Sequence, residues 1–316
     1  EEYEVDWEVA GELLTRALQS GEWQSLVDVD AAAEELYAVV RRMPGGAVYA
    51  DWLRQRMDYL DVAEWVMQED VPMRPTPRPT KVWPTPTPRL VSTPVARPTK
   101  IWPTPTVRPE PTATPVKQDA LKRREKAAAS VALWKKTLAK RSAPARAAVL
   151  VPRLKAIFRE EGLPEELIWM AEVESSMNPE AKSPVGAAGL FQFMPATAKQ
   201  YGLQVSPRDE RLDPEKSARA AATYLKALYK RFEDWPLSLA AYNAGEGRVG
   251  RVLRERKATT FEQIAEYLPL ETRMYVPKIL AVIELREKGA SLPLPPPVVS
   301  LRGLEEGCGG VWLSAW

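Results

Sequence analysis

Histidine is absent from this 316-residue chain, and cysteine occurs once, as Cys308. The first absence excludes Ser-His-Asp and Cys-His nucleophile chemistry and any His-ligated metal. The second excludes an internal disulfide and a cysteine-rich zinc site. Carboxylate, hydroxyl, amide and guanidinium chemistry remains, so neither a metal nor a cofactor is expected. No apolar run approaches the roughly 18 residues that span a bilayer, and no integral membrane span is expected. The chain also lacks an initiator Met and a basic-then-apolar leader. It opens Glu1-Glu2-Tyr3 and reads as a processed or trimmed product, so the missing leader is no reason to place it in the cytoplasm.

Lysine is missing from residues 1–70, which hold seventeen Asp/Glu and five Arg. Residues 117–160 hold thirteen Lys/Arg and three Asp/Glu, so a net charge of only +2 conceals strong segregation. Opposite fields within one chain predict that the acidic segment, residues 1–70, docks at least transiently on the basic segment, residues 119–141. Two solvated faces of opposite sign are the plainer alternative. Contacts of this exposed kind are worth about 0–1 kcal/mol each and loosen with salt.

The chain divides into four regions. Residues 1–70 predict a small helical module. Leu36, Val39 and Val40 share one helical stripe, Pro44-Gly45-Gly46 breaks the pattern, and Trp52, Leu53, Tyr59, Leu60, Ala63 and Trp65 resume it. Residues 71–116 carry fourteen of the thirty prolines. There Arg78 to Thr87 (RPTKVWPTPT) recurs nineteen residues on as Arg97 to Thr106 (RPTKIWPTPT). This Pro/Thr-rich linker predicts extended polyproline II chain, a spacer or a ligand for an aromatic groove. Residues 117–288 predict helix after helix, led by a basic helix over 119–141 and a second over 152–160, with no alternating strand. Residues 289–316 form an irregular tail to which no function attaches.

The chemistry centres on Glu174. The stretch Leu167 to Ser175 predicts a helix with Pro164 at its first position and Glu165 and Glu166 in its first turn. Leu167, Met170, Ala171 and Glu174 fall on one stripe, so Glu174 continues an apolar face. Burial raises a carboxyl pKa and prepares a general acid. Alone, such a residue reads as well as a helix-end glutamate held by a buried arginine or backbone group. Glu172 and Glu180 are expected to point away into solvent.

Three segments C-terminal to Glu174 reverse that balance. Asn178-Pro179 first predicts a helix stop. The run Ser183 to Pro195 (SPVGAAGLFQFMP) places two glycines where backbone can approach a ligand closely, with Gln192 as a neutral donor and acceptor. The run Ala240 to Val249 (AAYNAGEGRV) joins a phenol and an amide, Tyr242 and Asn243, to close glycines. The last segment is Glu271 to Pro277 (ETRMYVP).

In order and spacing these segments resemble the catalytic domain of the lytic transglycosylase (SLT) family, within the lysozyme-like superfamily, and in particular its membrane-bound lytic transglycosylase D type. The matching motifs are Glu174-Ser175, Gly189-Leu190-Phe191-Gln192, Ala241-Tyr242-Asn243-Ala244-Gly245 and Glu271-Thr272-Arg273-Met274-Tyr275-Val276. The resemblance covers about residues 145–288. It implies an all-α, lysozyme-like helical domain behind the small helical module and the Pro/Thr-rich linker. It makes Glu174 the acid/base, has Ser183, Gln192, Met194, Tyr242 and Asn243 line a sugar groove, and has Ser175, Glu271 and Tyr275 support the site. The implied partner is the peptidoglycan glycan strand, not nucleic acid, and the implied location is the bacterial cell envelope, periplasmic or exported. The implied reaction cleaves the bond from N-acetylmuramic acid to N-acetylglucosamine and closes a 1,6-anhydro ring without water. No second catalytic carboxylate is evident in the sequence. A hydrolytic goose-type-like lysozyme and a non-catalytic peptidoglycan-binding scaffold are the alternatives.

Overall fold

A computed structural model describes residues 15–20, 22–42, 46–67, 122, 125, 126, 129–288 and 292–298. The proline-rich stretch 71–116 and residues 299–316 lie outside the described residues. The architecture is all-α. Among the described residues, β contact is limited to isolated bridges from Ala188 to Lys182 and Phe193, and no helix is long and apolar enough to cross a membrane.

Among the described residues the N-terminal module holds helical residues 15–20 and two long helices, α1 (Trp23–Arg42) and α2 (Ala47–Met67), packed on each other. Then come α3 (Val131–Leu138) and α4 (Ala147–Glu160), a 3-10 turn at Glu165–Trp169 and α5 (Met170–Ser175). The C-terminal half continues with α6 (Pro195–Gln200), α7 (Pro214–Phe232), α8 (Trp235–Ala244), α9 (Glu246–Arg256), α10 (Phe261–Ile264) and α11 (Leu270–Arg286). Helix α11 is the axle. It is buried on nearly every side, at Leu270–Thr272, Met274–Ile279 and Ala281–Ile283, and packs against α3, α5 and α8. A helix apolar around its whole circumference belongs at the centre of a core.

Local chemistry sets the helix starts. Asp213 accepts from the backbone N–H groups of Glu215 and Lys216 ahead of Pro214. Asp234 accepts from Leu237 N–H ahead of Pro236, and Thr260 with Gln263 makes a reciprocal capping box. Each satisfies donors that a helix end leaves orphaned.

Three sequence expectations change. The predicted basic helix over 119–141 is interrupted. Ser130 is extended and its side chain caps a new helix from Val131. Helix α4 starts at Ala147, not Pro152. Pro152 and Ala148, whose carbonyl loses its donor, are both exposed residues. The predicted Leu167–Ser175 helix is a 3-10 turn followed by α5, with Pro164 as N-cap.

The module does meet the basic stretch: Tyr59 packs edge-on against Trp134 at 5.7 Å, Asp58 pairs with Arg141, and Trp23 Nε1 donates to Glu125. Its broader seat is α11 and α5, and the contact is not an exposed one. Lys278 Nζ lies 2.9 Å from Asp58, both side chains 1% exposed, donates to the Gln55 carbonyl at 2.7 Å and stands 4.5 Å from the Tyr59 ring centre. Charges so buried are screened far less by salt than the exposed pairs the sequence suggested.

Candidate active site

Glu174 is 5% exposed. Leu167, Met170 and Ala171, on its own stripe, are fully buried. The helix ends directly after it, at Ser176 with φ 54° and Met177 with φ 58°, two residues before the stop expected at Asn178-Pro179. The sharp turn carries the chain away and leaves the Glu174 carboxyl facing α11. There Tyr275 Oη donates to Glu174 Oε1 at 2.5 Å. Burial is the main influence on the carboxyl and pushes it up to about 7, against the pull of Arg56 and the Tyr275 hydrogen bond. The charge of Glu271 pushes it further up and Lys278 pulls it down. A carboxyl so held exchanges its proton near neutral pH, as a group that gives and then takes a proton must. Tyr275 and Tyr242 are themselves pushed well above the usual phenol range, by burial first and then by the Glu174 charge. They therefore serve as hydrogen-bond donors.

The other sequence-predicted residues are held by bonds of their own. Ser175 Oγ bonds to the carbonyls of Ala171 (3.0 Å) and Leu190 (2.9 Å), which ties the helix to the loop. Ser183 is buried, and its Oγ accepts from Ala187 N–H at 2.9 Å. Gln192 takes the left-handed φ of 47° and donates Nε2–H to the carbonyls of Gly189 (2.9 Å) and Ala181 (3.2 Å). Its Oε1 is buried and without a hydrogen-bond partner among the described residues. Tyr242 Oη donates to the Phe191 carbonyl at 2.9 Å. Asn243 Oδ1 accepts from Thr272 Oγ1 at 2.6 Å. Met194 stands out from the surface, 43% exposed.

Glu172 is not the solvated charge the sequence suggested. Arg286 grips it through two hydrogen bonds, at 2.7 and 2.9 Å, which pins α5 to the end of α11. Glu180 is exposed, as expected. Glu271, expected from the sequence as a supporting residue, places a second carboxylate near Glu174. Glu271 is buried close by and shares Arg56 with Glu174. The guanidinium stands 3.5 Å from Glu271 Oε1 and 4.0 Å from Glu174 Oε2. Gln19 Nε2 donates to the other Glu271 oxygen at 3.2 Å.

Sequence reasoning missed Arg56, Gln55, Gln19 and Arg211. The first three come from the N-terminal module, where nothing local marks them. Arg211 clasps the loop from behind. Its Nη1 donates to the carbonyls of Gly186 (2.7 Å) and Phe193 (2.8 Å), while Asp209 holds the rest of the fork. That clasp holds the Asp209 carboxyl below the usual range. Gly189 passes so close to Arg211 that an added Cβ would lie 1.9 Å from its carbonyl oxygen. Among the described residues no group of three or more His, Cys, Asp or Glu is placed to hold a metal ion.

Comparison with known proteins converges on the same region. Residues 154–265 match the transglycosylase SLT domain family. The membrane-bound lytic murein transglycosylase D of Escherichia coli K12 is 39% identical over 145 residues, which is 43% of this chain and 32% of that protein. The soluble lytic murein transglycosylase of the same strain is 41% identical over 121 residues, 35% of this chain and 19% of the relative. The chain thus spans a third or less of the length of these relatives. The lytic transglycosylase Slt of Pseudomonas aeruginosa aligns over 94% of this chain and 54% of its own, at a TM-score of 0.40 and 18% identity, too distant to bear on the assignment. The matched segment contains Glu174, the Gly189–Gln192 turn and Tyr242-Asn243, so the likeness is to the transglycosylase SLT domain and covers residues 154–265.

Proposed function

We propose that this chain is a peptidoglycan lytic transglycosylase of the bacterial cell envelope, periplasmic or exported, with Glu174 as its single acid/base. The observation that carries the proposal is the Glu174 carboxyl itself, buried, bonded to Tyr275 and held at about 7. Glu174 gives its proton to the glycosidic oxygen between N-acetylmuramic acid and N-acetylglucosamine. The bond from C1 to that oxygen breaks, and N-acetylglucosamine leaves with its 4-hydroxyl restored. The N-acetyl carbonyl oxygen of the muramic acid stabilises the cation at C1, a substrate-assisted route. The 6-hydroxyl of the same sugar then attacks C1 and yields its proton to the Glu174 carboxylate. One proton leaves and one returns, no water is consumed, and the product is a 1,6-anhydro sugar. Because both reacting groups belong to one substrate, the ring closes by proximity. The unpaired Gln192 Oε1 offers an acceptor to a sugar hydroxyl or amide. Leaving such an atom unpaired costs about 1–3 kcal/mol, which a bound donor would return. Met194, Ser183, Tyr242 and Asn243 complete the proposed groove.

Glu271 is the observation that favours a hydrolytic, goose-type-like reading, since a second carboxylate could orient water. Its oxygens are already engaged by Arg56 and Gln19, and we assign it to support instead. Incubating purified sacculi with the full chain and weighing the released muropeptides by mass spectrometry separates the readings. Anhydro products one water lighter than hydrolysis products are expected. Glu174→Gln should lower release by at least about 100-fold with the fold retained, since general acid catalysis is worth about 10²–10⁴. Hydrated reducing ends alone would move the protein to the lysozyme class. No release by the wild type would leave a binding scaffold.

A further inference from the structure

Glu174 is reached from across an interface by a side chain that lies outside the matched domain. Arg56 belongs to α2, which packs on α5. Its Nη2 stands 4.0 Å from Glu174 Oε2 and 3.5 Å from Glu271 Oε1, and its Nη1 donates to the Glu174 carbonyl at 3.4 Å. Arg56 is 8% exposed. The guanidinium carbon lies 4.8 Å from the centre of the Trp52 ring. Neighbours on the module reinforce the seat: Gln55 Nε2 donates to Ser176 Oγ at 2.5 Å, and Gln19 bridges Glu271 to Arg248.

We infer that Arg56 is a positioning residue of the Glu174 site: from across the module interface its guanidinium holds Glu174 and Glu271 in register and sets the pH window in which Glu174 can give and then take a proton. The inference rests on the function proposed above. A buried glutamate that must work twice has two needs. As an acid it must hold its proton. As a base it must exist as a carboxylate for long enough to receive one, and a carboxylate in an apolar pocket needs a nearby cation. The charged and titratable groups around it are Arg56 and Tyr59 on α2, Glu271, Tyr275 and Lys278 on α11, and Tyr242 on α8. Of the two cations, Lys278 is paired with Asp58. Arg56 is the stronger influence on Glu174 and outweighs the opposing charge of Glu271. Removing Arg56 therefore shifts Glu174 toward its protonated form even when Glu271 is freed. A planar fork can face two carboxyl groups at once, and an ammonium cannot reproduce that geometry.

The test is the pH dependence of muropeptide release by the full chain, alongside an NMR titration of the Glu174 carboxyl carbon without substrate. Glu174 works first as an acid, so release by the wild type should fall as pH rises through about 7. In Arg56→Gln both the alkaline limb and the NMR titration should move up by roughly one pH unit, with release at pH 6 at least about tenfold lower. Arg56→Lys should leave the limb in place and restore part of the rate. An unmoved limb and titration in a folded Arg56→Gln would reduce Arg56 to a structural contact. Faster release at every pH would make it an obstruction, and either result overturns the inference. If Arg56→Gln fails to fold, Arg56→Lys decides, because a wild-type rate there removes any need for the fork. A wild type that releases nothing defeats the proposed function, and the NMR titration then still judges Arg56.

Discussion

Gly189 and Gly186 make a matched pair for testing how the Ser183–Pro195 loop is held. Both have left-handed backbone, φ 84° and 88°. They differ in what surrounds them. A Cβ at Gly186 meets nothing within 4 Å, whereas one at Gly189 would sit 1.9 Å from the backbone carbonyl oxygen of Arg211. Gly186→Ala therefore carries only the cost of a left-handed L-residue, about 1–2 kcal/mol. Gly189→Ala carries that cost and a collision that only backbone movement relieves. Overpacking of this kind costs about 1–3 kcal/mol more. The movement also strains the 2.8 Å bond from Gly189 N–H to the Ala181 carbonyl. At about 2–4 °C per kcal/mol, thermal melts followed by circular dichroism should place Gly186→Ala a few degrees below wild type and Gly189→Ala roughly 5–15 °C below. Equal melting temperatures for the two variants would refute the close approach of Gly189 to Arg211, and with it the account of how this loop is held.

The charges give three further expected outcomes. Glu174 titrates at about 7 in the folded chain against an ordinary 4.5, so its contribution to stability is complete below pH 4.5 and lost as pH rises to 7. The loss is about 3 kcal/mol. Glu174→Gln should accordingly gain about that much on wild type between pH 4.5 and pH 8, and a difference that does not change with pH would contradict the burial argument. Tyr275→Phe removes a donor that favours the carboxylate, so the Glu174 titration followed by NMR should move up; a downward move would show that the phenol acts otherwise. Asp58→Asn leaves Lys278 buried without its carboxylate and should cost about 3–5 kcal/mol in urea unfolding, part of it recovered in Asp58→Asn/Lys278→Met; no recovery would mean that packing, not charge, is lost.

The sequence carried the SLT-like half far better than the module. Leu167, Met170, Ala171 and Glu174 announced a buried carboxyl because an apolar stripe is a local pattern, and it survived the replacement of its first turn by a 3-10 turn. The caps Asp213 and Asp234 went unread, although each acts on backbone N–H groups within three residues. Glu172 misled because its partner, Arg286, lies 114 residues away, and nothing near Glu172 reveals it. Arg56 was hidden for the same reason, and Glu271, visible as a motif residue, gave no sign that Arg56 would link it to Glu174. The reading of residues 1–70 as an acidic patch seeking a basic one caught the contact with 119–141. It missed the buried seat on α11, since net charge describes surfaces and not which charges become enclosed.

The placement of Arg56 is also a matter of local dilution. Its contact with Glu174 joins residues 118 positions apart on one chain, so the encounter is intramolecular and follows an effective concentration. For a tethered pair that concentration is on the order of millimolar and falls as the tether lengthens. A break in the tether would leave every atom of the interface intact and yet turn the encounter bimolecular. At the micromolar protein levels of a typical assay, Arg56 would then be present in only a fraction of the molecules set by the strength of the module's seat. The number of proline-rich repeats between Met67 and Lys122 is thus a quantity that selection or a protease could adjust without touching the groove.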